Sequence, residues 1–573
     1  MPVENAEIAD MFDEMADLLE IEDANPFRVR AYRNAARTLR RMPESMASLV
    51  AKNADLSALP TIGDDLEGKI EEIVATGRMP ALENLKRTIP PGLVALSSLP
   101  GLGPKRVKLL YDQMGIHDLK DLTRAVESNE ILDIPGFGPK LRDRLRDALG
   151  KPPPIADKRF LIANVEARAE TLVAYLEAVP GVDEVVVAGS FRRRRETVGD
   201  LDILVVAKDG KAVSDRFTGF EDVVEILAAG STKASVVLRS GLQVDLRVVP
   251  RQSYGAALLY FTGSKAHNIT LRNMAVDRHW KLNEYGLFSG NAQIAGLTEQ
   301  DIYEKFGLAM IPPELREDRG EIAAARRGLL PELIRRDDIR GDLHAHTDWS
   351  DGSASITDMG AAALALGYDY LAITDHSQHL TVANGLDPGR LARQIEKIDR
   401  INATYQGFIL LKASEVDILK DGSLDLPDDI LKQLDIVVAA IHSAFDLPRE
   451  DQTRRMLKAI ENPLVNIIAH PSGRLIGKRA PYAIDMERVI AAAAANGCAL
   501  EINSQPERLD LNDVHIKAAK AAGVKLVLST DAHDPGSLDL MRYGIDQARR
   551  GWLEAGDVVN TRPLADMMRR LKR

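Results

Sequence analysis

The sequence predicts a multidomain chain: a helical amino-terminal region, an α+β middle and a carboxy-terminal β/α barrel. Three observations lead there. A glycine-rich turn feeding an amphipathic helix recurs within residues 1–150. The run Val198-Gly199-Asp200-Leu201-Asp202-Ile203-Leu204-Val205 reads as a strand yet carries two carboxylates one residue apart. After residue 339, seven apolar runs alternate with Ala-rich helical stretches, and almost every run ends in His, Asp or Glu.

A length of 573 residues suggests three or more domains, and 45% hydrophobic content can fill several cores. No apolar run approaches a membrane span, and the amino terminus is acidic and helical rather than basic-then-apolar, so no membrane partner is expected. The single cysteine, Cys498, excludes an internal disulfide framework and fits a reducing cytoplasm. A net charge of −11 argues against nucleic-acid binding by bulk charge, so such contacts must come from local motifs. Eight of the eleven histidines lie after Arg340, which asks for an explanation of its own.

In the first region apolar residues fall at helical spacing from Ile8 to Ile21 and from Val29 to Leu39. The recurring turn appears as Leu59-Pro60-Thr61-Ile62-Gly63, Leu99-Pro100-Gly101-Leu102-Gly103-Pro104-Lys105 and Ile134-Pro135-Gly136-Phe137-Gly138-Pro139-Lys140. Such a turn offers backbone N–H groups to an anion, and the following lysine adds charge. One copy would serve equally as a plain connector between helices; three favour DNA. The first is degenerate, with Asp64 and Asp65 after its glycine. The copies resemble helix-hairpin-helix motifs, which implies that Gly101, Gly103, Lys105, Gly136, Gly138 and Lys140 grip the phosphate backbone without reading sequence. Lys151-Pro152-Pro153-Pro154 is a stiff linker.

In the middle region, alternation along the strand puts Asp200 and Asp202 on one face. Like charges held together call for a cation; the competing reading is a wet edge strand. A third carboxylate, Asp245, stands in the strand run from Leu242 to Val249. Before them, a run from Val185 to Ala188 ends in Gly189-Ser190 and then Arg192 to Arg195, a phosphate cradle. The arginines alone would read as a solvated loop. With three aspartates opposite, the set suits two magnesium ions roughly 3.5–4 Å apart.

Gly189-Ser190, Gly199-Asp200-Leu201-Asp202 and Asp245 resemble the nucleotidyltransferase signature of the family X DNA polymerases. Tyr260-Phe261-Thr262-Gly263-Ser264, then Asn268, Arg272 and Leu282-Asn283-Glu284-Tyr285, resemble that family's nucleotide-binding and thumb segments. The resemblance covers residues 1–310 and implies a nucleotidyltransferase palm with a thumb, gapped or primer-template DNA and dNTPs as partners, and Mg²⁺, with Mn²⁺ as the alternative. It further implies that Asp200 and Asp202 bind both metals and that Asp245 ligates the catalytic one. Gly189, Ser190 and Arg193 would hold the triphosphate. Tyr260, Phe261 and Gly263 would wall the sugar, Asn268 would touch the base's minor-groove edge and Arg272 the templating side. The wider nucleotidyltransferase fold shares only Gly-Ser and the aspartates; the Tyr-Phe-Thr-Gly segment and the hairpin repeats narrow the choice. The first 90 residues resemble the domain that grips the 5′ side of a gap. There Lys69 falls at the position of a Schiff-base lyase lysine and Tyr32 beside it, while Asp65 replaces a phosphate-binding lysine.

The seven late runs end as Asp342-Leu343-His344-Ala345-His346, Ile373-Thr374-Asp375-His376, Ala413-Ser414-Glu415, Ala440-Ile441-His442, Ile468-Ala469-His470, Leu500-Glu501-Ile502-Asn503 and Ser529-Thr530-Asp531-Ala532-His533. In a β/α barrel these ends converge on one mouth, and six imidazoles with three acids there imply metal. The pattern resembles the polymerase-and-histidinol-phosphatase (PHP) domain, a distorted (β/α)7 barrel with a trinuclear centre. Nine positions match: His344, His346, Asp351, His376, Glu415, His442, His470, Asp531 and His533. The resemblance implies metal-assisted phosphoester hydrolysis with up to three Mn²⁺ or Zn²⁺ ions, Glu415 and Asp531 bridging. On a polymerase the implied substrates are DNA 3′ ends: 3′→5′ exonucleolytic removal, 3′-phosphate trimming and cleavage at abasic sites. Arg474 is a candidate phosphate ligand or, equally, a helix-cap arginine; His379 and His515 read as surface residues.

The expected domains are 1–90 (lyase-like), 91–150 (helix-hairpin-helix fingers), 151–250 (palm), 251–311 (thumb), 312–338 (a charged linker) and 339–573 (PHP). Gap filling in base-excision or end-joining repair is the expected role, with a monomer as the default. Two rivals stand beside it: a small-molecule phosphatase tethered to an inactive DNA-binding module, and a scaffold with both sites idle.

Overall fold

The computed structural model describes residues 5–22, 24–39, 46–59, 61–88, 93, 96, 99, 102, 104–134, 136–149 and 159–571. These fall into two compact units that divide after residue 158. The predicted linker at 151–154 lies outside the described residues, as do Gly101 and Gly103 and the side chains of Lys105 and Lys140.

The first unit is helical. Asn5–Ile21 and Pro26–Leu39 pack through Ile8, Phe12, Met15 and Leu19 against Tyr32, Ala36 and Leu39. Helices Asp64–Thr76, Pro104–Met114 and Pro139–Leu149 each start directly after a predicted turn. Gly136 needs its missing Cβ, since its φ is +91°. Thr61, the matching residue of the degenerate copy, also lies in the left-handed region at φ +68°. The sequence degenerates there but the backbone does not.

The second unit carries a two-stranded ribbon (Phe160–Leu161 with Thr197–Val198), two larger sheets and the barrel. The palm sheet runs, edge to edge, Val182–Val187, Asp200–Ala207, Gln243–Val249, Lys233–Leu238, Val223–Ala229. Its one parallel pair, Asp200–Ala207 against Gln243–Val249, is the pair that bears the acids. A three-stranded antiparallel sheet, Trp280–Asn283, Gly286–Ser289 and Ala292–Ala295, forms the thumb with helix Glu299–Phe306.

The last region is a parallel barrel of seven strands in sequence order: Gly341–Ala345, Tyr370–Ile373, Ile409–Asp417, Ile436–Ala440, Ile467–Ile468, Ala499–Asn503 and Leu526–Ser529. A bridge between Ala345 and Ala532 brings the first and last strands together. Leu343, Tyr370, Ala372, Leu411, Val438, Ala440 and Val527 form one buried cluster, so the barrel is packed rather than hollow.

The stretch 312–338 is not a tether. Leu315, Ala325 and Leu333 join the thumb core with Leu271, Ile302 and Phe306. Arg316 is fully buried, bonded to Glu299 and to the Ile311 carbonyl, and Glu321 accepts from the buried His267. Ile334 donates to the Leu553 carbonyl on the barrel side. Its charge misled the sequence reading: Arg316, Glu317 and Glu321 are buried and paired internally instead of solvated. Among the described residues no helix is long and apolar enough to cross a membrane.

Candidate active sites

The parallel pairing sets Asp202 directly beside Asp245 and Asp200 beside Gln243. Side-chain alternation then turns all three acids to one face of the palm sheet. Asp245 is fixed by Ser235 Oγ and by Gln243 Nε2, 3.1 Å away. Burial, then the charges of Asp200 and Asp245, push the Asp202 carboxyl up to about 7. Burial and Asp245 also raise Asp200. A cation would relieve both, so the donor set fits a divalent ion.

Gly189 opens the short turn of helix, Gly189–Arg192, that follows the first palm strand. Its φ is +62°, and a Cβ there would overlap the Asp202 carboxylate. The turn therefore lies directly against the acids. Arg193 reaches past Gly263 to donate to the Thr262 carbonyl and, from Nε, to Glu317 at 3.1 Å. Tyr260 and Phe261 meet edge to face at 5.2 Å, and Asn268 Nδ2 donates to the Tyr260 carbonyl at 2.7 Å. Tyr260, Asn268 and the exposed Arg272 line one cleft with Leu282 and Asn283.

At the barrel mouth the nine predicted ligands come together. Three overlapping groups have ligand atoms within 4.8 Å of one another: His346, Asp351, His376 and His533; His344, His346 and Asp531; His376, Glu415 and His442. His470 Nε2 lies 2.9 Å from Glu415 Oε1. Among the described residues the palm acids form no group as tight. Glu415 sits at the hub, with Oε2 2.8 Å from His376 Nδ1 and Oε1 3.3 Å from His442 Nε2. Burial alone would raise its carboxyl, but His442, His376 and His344 hold it well below the ordinary range. Burial and the charge of His376 push His346 down to about 3, whereas Glu415 and Asp351 overcome burial and lift His376 to about 10. His344 Nε2, both ring nitrogens of His346 and His376 Nδ1 are buried and lie near carboxylates without the geometry of a hydrogen bond. Orphaned imidazole nitrogens facing carboxylates fit bound metal ions. Asp531 at φ +52° and His470 at φ +27° carry backbone strain at this site.

Over 574 residues the chain is 40% identical to the DNA polymerase/3′-5′ exonuclease PolX of Bacillus subtilis, covering 99% of both chains. The chain belongs to the family X DNA polymerases. Family models match the DNA polymerase beta palm at 162–261, the DNA polymerase beta thumb at 257–317 and the PHP domain at 342–505. A helix-hairpin-helix domain matches at 3–79 and a SAM-like helix-hairpin-helix tandem at 93–151. DNA polymerase lambda of Arabidopsis thaliana is 26% identical over 54% of this chain and 62% of its own. A probable phosphatase of Thermoanaerobacter sp. is 37% identical over 35% of this chain and 81% of its own.

In this family X polymerase, several site residues had escaped the sequence reading. His344 Nδ1 lies 2.7 Å from Glu501 Oε1, and His442 Nδ1 lies 2.6 Å from Asp417 Oδ1, which turns each Nε2 toward the cluster. Asp375 accepts from Thr347, Ser350 and Gln394, while Asp342 accepts from Thr530. A signal was present: Asp417 follows Glu415 by two, and so shares its face of the strand. Arg474 donates to Glu196 Oε2 at 2.6 Å and to the Arg508 carbonyl at 2.8 Å rather than to a helix end. Arg508 Nε lies 3.6 Å from the predicted ligand Asp531. His379 is exposed as expected, whereas His515 is half-buried, its Nδ1 buried and unpaired. In the first unit, Lys69 is bound to Asp65 through its side-chain carboxylate and its carbonyl, with the Tyr32 ring 6.0 Å away.

Proposed function

We propose that this polymerase fills short gaps during DNA repair at the palm and trims 3′ ends in its barrel, two reactions at two separate sites. The observation that carries it is the pairing of Asp202 with Asp245 beside the Gly189 turn, in a chain that spans the whole length of a relative named as polymerase and exonuclease.

In this reading Asp200, Asp202 and Asp245 hold Mg²⁺, or Mn²⁺ in its stead. Bound there, two divalent ions would make the primer hydroxyl more acidic and neutralise the leaving pyrophosphate. The amides of the Gly189 turn, the Ser190 hydroxyl and the Arg193 guanidinium receive the triphosphate. Tyr260 and Phe261 wall the sugar beside Gly263, and Asn268, tied to the Tyr260 carbonyl, presents its remaining atoms to the base edge, with Arg272 toward the template. The hairpin glycines and lysines (Gly101, Gly103, Lys105, Gly136, Gly138 and Lys140) carry the duplex backbone. In the barrel, the nine His, Asp and Glu ligands would hold up to three Mn²⁺ or Zn²⁺ ions, which would supply Lewis-acid activation for phosphoester hydrolysis. Lys69 is the candidate lyase lysine, and its ion pair with the exposed Asp65 would have to open before its amine could form a Schiff base.

A small-molecule phosphatase with an idle polymerase half is disfavoured, since the phosphatase relatives account for only 35% of the chain. The test is a one-nucleotide-gapped duplex with and without dNTPs, in Mg²⁺ or Mn²⁺. Asp202→Ala should abolish extension and spare 3′ degradation; His344→Ala should do the reverse. Extension by Asp202→Ala at the wild-type rate would overturn the palm assignment.

A further inference from the structure

The arginines after Gly189-Ser190 are engaged by three parts of the fold. Arg192 pairs with Glu299 of the thumb helix, and Arg193 and Arg195 pair with Glu317 at the thumb's end. Arg194 pairs with Asp546, on the barrel helix Met541–Arg550. That helix ends in Arg550, whose side chain is 3% exposed. Arg550 Nη1 donates to the Arg193 carbonyl at 2.7 Å and lies 3.2 Å from Glu317 Oε1, while Nη2 donates to Asp513 Oδ2 at 2.5 Å. Glu317 accepts from Arg193 Nε as well. One carboxylate is thus shared between an arginine of the palm and an arginine of the barrel, and the barrel arginine also fixes the palm arginine's backbone.

Such sharing has a direction. A buried carboxylate draws on whatever cations remain when one is removed, because attraction is strong where water is excluded. Without Arg550, Glu317 would hold the Arg193 guanidinium more tightly, and the Arg193 carbonyl would lose its donor. The first change competes with an incoming triphosphate for that guanidinium, and the second loosens the backbone that carries it.

We propose that Arg550, a residue of the barrel, is a positioning residue for the polymerase: it shares Glu317 and anchors the Arg193 backbone, leaving Arg193 able to receive a nucleoside triphosphate. The hydrolase domain is then part of the nucleotide site's scaffold. This rests on the reading that Arg193 binds the triphosphate.

Single-nucleotide gap filling by the full chain tests it, with dNTP KM and kcat read separately and 3′→5′ degradation measured on the same preparations. Arg550→Met should raise the dNTP KM roughly tenfold, the worth of one charge-assisted hydrogen bond, with kcat and degradation little changed. Arg550→Lys keeps the charge and one donor and should raise KM about threefold; it is the variant to read should Arg550→Met not fold. Adding Glu317→Gln to Arg550→Met should bring KM back toward wild type, whereas a merely structural role predicts a further loss. Arg193→Met separates the premises. If it raises KM while both Arg550 variants leave KM unchanged, the relay is wrong; if Arg193→Met itself leaves KM unchanged, the triphosphate reading fails first.

Discussion

Gly189→Ala tests the palm geometry with a single methyl group. Gly189 sits at φ +62°, where an L side chain costs about 1–2 kcal/mol. The new Cβ would overlap Oδ2 of Asp202 and lie 3.4 Å from its carboxyl carbon. Relief requires the carboxylate oxygen to retreat by about 1 Å, since carbon–oxygen contacts below ordinary van der Waals distance are strongly repulsive. A displacement of that size at a metal-holding, reacting centre costs roughly a hundredfold in rate. Insertion into a one-nucleotide gap under single-turnover conditions at saturating dNTP should therefore fall about a hundredfold. The melting temperature should drop by only a few degrees. Degradation of a 3′ overhang, on the same preparation, should keep its wild-type rate because no barrel ligand is touched. Insertion within threefold of wild type would refute the contact between the Gly189 turn and Asp202 on which the palm assignment leans.

Three further outcomes follow from the geometry. Asp417→Asn leaves the barrel ligands in place but removes the carboxylate that orients His442; 3′ degradation should need about 10–100-fold more added Mn²⁺, with gap filling unchanged in a metal titration. Glu317, where burial would raise the carboxyl but Arg550 and Arg193 bring it down to about 2, contributes stability that is complete above pH 4.5 and lost as pH falls toward 2. That contribution is on the order of 3 kcal/mol, so thermal melts from pH 6 to pH 3 should fall more steeply for wild type than for Glu317→Gln. Chelation followed by dialysis into Mg²⁺ alone should lower the melting temperature and abolish 3′ degradation while gap filling returns; unchanged melting would count against ions held by the barrel.

Much of this was legible in the sequence because strand chemistry has a short period. Asp200 and Asp202 had to share a face, and so did His344 and His346, once each run was read as a strand. The barrel's strands could be read in order because their apolar runs are nearly continuous, as expected when both faces are buried. Even the ligand-orienting Asp417, last in its strand, and Glu501, in the middle of its own, were within reach. The charged stretch 312–338 was misread for a definite reason. Composition reports charge but not pairing, and Arg316, Glu317 and Glu321 each find partners far away in sequence or across a turn.

The same limit explains the arginine run. Four consecutive arginines after a phosphate-cradling turn suggest four groups waiting for an anion. In the fold Arg192 serves Glu299, Arg194 serves Glu166 and Asp546, and Arg195 approaches Glu317. Arg193 is the one whose guanidinium lies against both Gly263 and the acids' surroundings, and its charge is felt at Asp202. The run is therefore mostly mortar between palm, thumb and barrel, with one member turned to the chemistry. Arg194→Ala and Arg193→Ala should accordingly part company. Arg194→Ala removes an ion pair joining the palm to the barrel and should lower the melting temperature with little change in dNTP KM. Arg193→Ala should raise KM with a smaller loss of stability. Thermal melts and gap-filling kinetics on the two variants decide it, and equal effects on KM would mean the run acts as a undivided patch of charge.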